Sequence, residues 1–184
     1  MAVTSVAGCK SDGDSSDRYH RDGPGEAMLD DGVVASTFVR ADAGATIAYG
    51  TPALKNTGDA PITVQEVRLV GDVPPSAAKV VEVRTRDYAL GDHLGATPTW
   101  PLPRYERESE VLDHYELKPG QLVKMIVVVR VNRTGVWYWP KTQFIYESDG
   151  DTYLAEAAFG YDICPTDRDL SNSLDHREDG ACLR

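Results

Sequence analysis

The run QLVKMIVVVRV at residues 121–131 constrains the fold more than any other part of the chain. Val123, Met125, Val127, Val129 and Val131 recur at every second position, the spacing that gathers side chains on one face of an extended strand. Lys124 and Arg130 then point away. Just before the run, Pro119 and Gly120 stand at the two central positions of an expected type II turn. There proline fixes the first φ and glycine accepts the positive second one.

The same period recurs along most of the chain between about Val33 and Cys164, punctuated by turn residues. In TIAYGTPALKNTGDAPITVQEVRLVG, the segment KNTGDAP reads as a hairpin connection built on Asn56, Gly58, Asp59 and Pro61. The apolar set shifts from Ile62 and Val64 to Val67 and Leu69, and a bulge near Gln65 and Glu66 explains it, because one extra residue exchanges the faces. Pro52 marks its own strand as an edge or a bulged one. KVVEVRTRDYAL reads as a further strand, GDHLGATPTWPLPRYERESE as the least regular stretch, and Asp149–Gly150 as the turn of a tight hairpin.

No helix of convincing length, cap or period interrupts the body, so about seven strands without alternating helices predict an all-β sandwich. ALKNTGDAPITVQEVRLVG, then ELKPGQLVKMIVVVRV, then a hairpin rich in glycine and aromatic residues, resembles the antiparallel immunoglobulin-like sandwiches carried by many exported bacterial proteins. That resemblance implies a fold class and no activity. The expected organisation is an acidic disordered tether over residues 10–31, the sandwich over 32–164 and a polar extension over 165–184.

Charge narrows the function classes. A net charge of -10 disfavours nucleic acid and anionic lipid surfaces, which both need clustered Lys and Arg. No window approaches the run of about 18 apolar residues that spans a bilayer. Val6, Ala7, Gly8 and Cys9 resemble the end of a bacterial lipobox. The resemblance implies that Cys9 carries a lipid, that residues 1–9 are a residual signal peptide and lipobox, and that the chain sits on the extracytoplasmic face of the cell membrane. Only Met1 to Gly8 precede the cysteine, too little for a whole signal peptide. The recorded chain is therefore expected to begin inside its own signal.

Cys164 and Cys182 flank a segment too polar to fold alone. A disulfide between them would pin it, at roughly 3 kcal/mol for a loop of this length in the chain-entropy model, and fits an oxidising compartment.

Chemistry-bearing motifs are sparse. In GVWYWP, Trp137 and Trp139 share one face of an extended strand, and core packing is the preferred reading over a stacking platform. Trp100, in TPTWPLP, is the better candidate for an exposed aromatic that meets a ligand. His20, His93, His114 and His176 are scattered without ligand spacing. SDGDSSD lacks the glycine and terminal acid of a calcium loop, and Ser76 with Lys79 matches SxxK without its companion motifs. No catalytic residue, metal ligand or cofactor is assigned. The expected function is a lipid-anchored binding or structural module that recognises an envelope protein, peptide or glycan. The alternative is a metal carrier that gathers histidines at one rim.

Overall fold

The computed structural model describes residues 19–28, 36–87 and 94–167. Cys9, His93, His176 and Cys182 lie outside them. The chain is an all-β sandwich of fourteen strands and one short helix among the described residues.

The strand β10 (Leu122–Val131) lies at the centre of the larger sheet. It pairs antiparallel with β6 (Ala78–Asp87) on one side. On the other side it pairs with β3 (Thr46–Gly50) and β4 (Ala53–Asn56) in succession. Short strands finish this sheet: β1 (Gly25–Met28) on β4, β7 (Ala96–Thr97) on β3 and β8 (Glu110–Val111) on β6. A second sheet runs β13 (Asp151–Ala157), β12 (Lys141–Ser148), β5 (Ile62–Val70), β9 (Tyr115–Leu117). A third joins β11 (Trp137–Trp139), β14 (Gly160–Cys164) and β2 (Ser36–Arg40), and its β14–β2 pair is parallel.

All five alternating residues of β10 are fully buried. They share one core with Ile62, Val64 and Val67 of β5, Phe144 and Tyr146 of β12, and Tyr161 and Ile163 of β14. Burying such side chains is the main favourable term in folding. On the reverse face of β10, Ile126 and Val128 form a smaller cluster with Ala48, against which Leu94, Trp100 and Tyr105 pack. The irregular stretch of the sequence thus supplies the cover for the outer face of the large sheet, with a helix α1 (Pro103–Arg107) inside it.

The local signals act as their chemistry requires, with two exceptions. Gly120 has φ +74° and the Gln121 amide donates to the Lys118 carbonyl at 3.0 Å, which closes the expected turn. Asp149 and Gly150 have φ +51° and +87°, the paired positive values of a tight hairpin turn. Glu66 pairs with Ile145 and Val64 with Tyr146, leaving Gln65 as the extra residue of the expected bulge. Pro52 interrupts one long strand into β3 and β4, and the Thr51 hydroxyl beside it accepts the Met125 amide at 3.1 Å.

The first exception is KNTGDAP, which carries the chain from the large sheet to the second one and is not a hairpin. Asn56 is fully buried there, and its Nδ2 donates to the carbonyls of Ala60 and Leu117 at 2.8 and 2.9 Å. The second concerns Tyr19–Met28, which composition placed in the tether. These residues belong to the folded body. A Cβ on Gly25 would stand 2.6 Å from Tyr146 Cζ, and one on Gly23 2.3 Å from Tyr153 Cδ1, so glycine is what lets this backbone lie on the tyrosine rings. The Gly25 amide donates to Tyr146 Oη at 2.8 Å.

Two tyrosines stitch the large sheet to the third one. Tyr49 Oη donates to the Asp162 carbonyl at 2.7 Å, and Tyr161 Oη donates to the Gly50 carbonyl at 3.2 Å, with ring centroids 4.8 Å apart. Burial pushes both phenols up in pKa, and at Tyr49 the Asp162 carboxylate and Tyr161 add to it. Both hydroxyls therefore stay protonated donors. Tyr49→Phe and Tyr161→Phe are each expected to cost about 1–2 kcal/mol in urea unfolding. The double variant is expected to cost measurably more or less than the sum, because the two bonds share one contact. Strict additivity would show that the two bonds are independent.

Candidate functional site

The two main sheets do not close against each other on every side. In the second sheet β9 covers β5 only at Ile62–Val64, so among the described residues Gln65–Val70 has no neighbour on the side away from β12. In the large sheet β8 covers β6 only at Arg84 and Thr85, and the Leu112 amide adds one bond to the Val83 carbonyl at 2.8 Å. Among the described residues Ala78–Glu82 has no strand beyond it, although the Ala78 amide donates to the Pro74 carbonyl at 3.2 Å. Between these two open edges lies a groove of about 860 Å³.

The groove has a mixed lining, but it gathers exposed apolar side chains that are otherwise scarce. Four large hydrophobic side chains are exposed among the described residues, and Val80, Val81 and Val111, at 36%, 49% and 57%, are three of them. Leu69 and Leu112 continue the lining inward. Val81 is exposed because β6 carries its own bulge: Glu82 pairs with Val128 and Val80 with Val129, which leaves Val81 unmatched.

Arg84 builds the wall that carries Val111. Its Nε donates to Ser109 Oγ at 2.8 Å, its Nη2 donates to the carbonyls of Ser109 and Glu106 at 2.7 and 3.1 Å, and its Nη1 pairs with Glu82. Arg86 pairs with Glu108 at 2.8 Å and lies over the Tyr105 ring. The planar guanidinium suits such multiple donation. Together these bonds fasten α1 and β8 onto β6.

Charge on the rim is balanced, with Arg21, Arg68 and Lys141 against Glu66, Glu82 and Glu156. Arg68 grips Glu66 with two bonds of 2.8 and 2.7 Å, and Lys141 meets Glu156 at 2.7 Å. Burial alone would raise the Glu156 carboxyl. The bonds from Gln143 and Lys141 and the charges of Lys141 and Arg21 outweigh it and hold the group below the ordinary glutamate value.

The residues singled out from sequence lie elsewhere. Trp139 is buried in the main core, and Trp137 packs half-buried against it with Nε1 donating to the Arg133 carbonyl at 3.0 Å. Trp100 packs half-buried on the outer cluster across the large sheet, so it is not a free aromatic, and the three indoles form no common platform. Cys164 is fully buried at the end of β14, while its expected partner Cys182 and the expected lipid site Cys9 lie outside the described residues. His114 is exposed beside Asp113 at 2.9 Å, and the His20 ring lies 5.5 Å from Tyr153. Among the described residues no three His, Cys, Asp or Glu side chains gather as a metal site. No helix among them is long and apolar enough to cross a membrane.

No family model matches the chain, and no curated protein matches it. Among solved structures, the Vibrio cholerae VesB protease aligns at TM-score 0.36 and 8% identity, over 70% of this chain and 30% of its own. The ASH/PapD-like domain of human CEP192 (PapD-like domain 7) aligns at TM-score 0.39 and 11% identity, over 92% of this chain and 99% of its own.

The Glu156 arrangement has a measurable consequence. Because its pKa is lowered on folding, the carboxylate adds stability above the unfolded value, and that contribution disappears as pH falls through the folded one. In a carbon-detected NMR titration Glu156 should titrate below ordinary glutamates, and Lys141→Ala should move its midpoint upward. An unchanged midpoint in that variant would remove Lys141 as a cause.

Proposed function

We propose that this chain is a binding module of the bacterial cell envelope, held at the extracytoplasmic face of the membrane by lipid on Cys9, that recognises a partner through the groove between β5 and β6. The observation that carries the reading is the clustering of Val80, Val81 and Val111 in one concave site with unpaired strand edges. Fully burying a valine side chain is worth roughly 1.5–3 kcal/mol. A partner that covers three of them gains a driving force that isolated surface aliphatics do not offer.

The anchor and the compartment rest on the lipobox-like residues Val6-Ala7-Gly8-Cys9 and on the expectation that Cys164 pairs with Cys182. A lipoprotein anchor holds by two or more acyl chains where one would hold only marginally. No arrangement of histidines among the described residues favours the metal-carrier alternative. The absence of a nucleophile motif gives no support to hydrolysis.

A photo-crosslinking amino acid placed at Val111 should give a discrete adduct in intact cells, and one placed at the remote exposed Phe38 should not. Equal adducts at both positions, or none at Val111, would overturn the groove as the recognition site. For the anchor, membrane-extracted protein should carry a diacylglycerol mass on Cys9, and in denaturant Cys164 and Cys182 should resist alkylation until a reductant is added. An unmodified chain retaining Met1 contradicts the lipid, and ready alkylation contradicts the disulfide.

A further inference from the structure

Resting on that reading of the groove, we infer that its occupant is an extended, uncharged, alternately apolar peptide segment that adds as a strand to the open edge of β6. Three observations converge on this mode. First, β6 already receives an antiparallel neighbour along the same line: β8 pairs at Arg84 and Thr85, and Leu112 bonds the Val83 carbonyl before the chain departs. Beyond it the Ala78 amide already donates to the Pro74 carbonyl at 3.2 Å, and Lys79–Glu82 has no strand partner other than β10 among the described residues. Four residues of edge are about 13 Å long at 3.3 Å per residue, room for a short peptide running antiparallel to β6 from where Leu112 leaves off. Main-chain bonding at such an edge gives affinity, and pockets for alternate side chains give selectivity.

Second, the side chains beside the edge match one face of such a strand. Val80, Val81 and Val111 stand along its path and Leu69 lies on the β5 side. Third, the rim offers a charged ligand little. Glu66, Glu82 and Glu156 are each already paired with Arg68, Arg84 and Lys141. An incoming charge would compete with one of these partly exposed pairs, where a surface ion pair gains little, and Arg21 is the one rim charge among the described residues without an ion pair. A second copy of this chain fits less well, because residues of β5 and β12 line the groove opposite the β6 edge and leave space there for a single strand rather than for a whole sheet.

The test is selection of linear ten-residue peptides from a display library against the full chain, followed by synthesis of the tightest binder. The expected binder alternates apolar and neutral polar residues. On binding it slows amide exchange in Lys79–Glu82 of the wild-type chain. N-methylation at alternate positions on its edge-facing side should weaken it at least about tenfold, whereas methylation of the other set should not. Val81→Asp with Val111→Asp, both at exposed positions, should abolish binding. If that double variant abolishes binding but both methylated series bind alike, the groove stands and strand addition is overturned. Binding insensitive to the double variant overturns both. So does a failure to enrich any peptide for strand addition, and a dimer of the free chain that Val81→Asp dissolves makes the occupant a second copy and overturns the inference.

Discussion

The architecture depends on covering one strip of side chains, the inward face of β10. Five fully buried residues, Val123, Met125, Val127, Val129 and Val131, contribute on the order of 10 kcal/mol of burial, comparable to the entire net stability of an ordinary domain. Everything opposite the strip exists in relation to it. β5 and β12 bring Ile62, Val64, Val67, Phe144 and Tyr146, while β14 brings Tyr161 and Ile163. The reciprocal tyrosine bonds then fix how the third sheet sits on the first, since each phenol satisfies a backbone carbonyl of the other strand.

Covering that strip leaves the groove. β10 has neighbours on both sides, but β5 and β6, consecutive in the chain, each run further than the short strands that flank them. Both also carry a bulge, at Gln65 and at Val81, which turns side chains of these strands toward the opening. An edge that were merely unfinished would be expected to carry unpaired charges as protection. Here Glu66, Glu82 and Glu156 are each ion-paired and the exposed side chains between the edges are Val80, Val81 and Val111, which is what the proposed docking rests on.

Sequence reasoning reached the layers and missed the site, for identifiable reasons. The β10 period, the Pro119–Gly120 turn, the Asp149–Gly150 hairpin and the Gln65 bulge are local chemistry, and each was legible in a short window. The crossing at Asn56 was not, because a turn-rich segment looks alike whether the next strand returns to its own sheet or joins the other one. Tyr19–Met28 was hidden by its acidic composition: its docking uses glycine backbone against Tyr146 and Tyr153, and glycine carries no hydropathy signal. The tryptophans drew notice as chemically distinctive residues, yet they pack in two different clusters. The groove did leave one trace. Val80 and Val81 are adjacent in KVVEV, a break of the strand period like the one in ITVQEV, and only the sheet register tells that the break faces an open side.

Residue-resolved amide hydrogen exchange of the free chain tests the central claim most directly, that the sandwich is sealed along β10 and open between β5 and β6. Amides of Val127 and Val129, in a strand paired on both sides within the core, should exchange slowest of all. Those of Gln65–Val70 and Lys79–Glu82 that point into the groove should exchange orders of magnitude faster although they lie in regular strands. Protection of the groove-facing amides equal to that of Val127 would mean that the edge is already filled, and the account would be wrong.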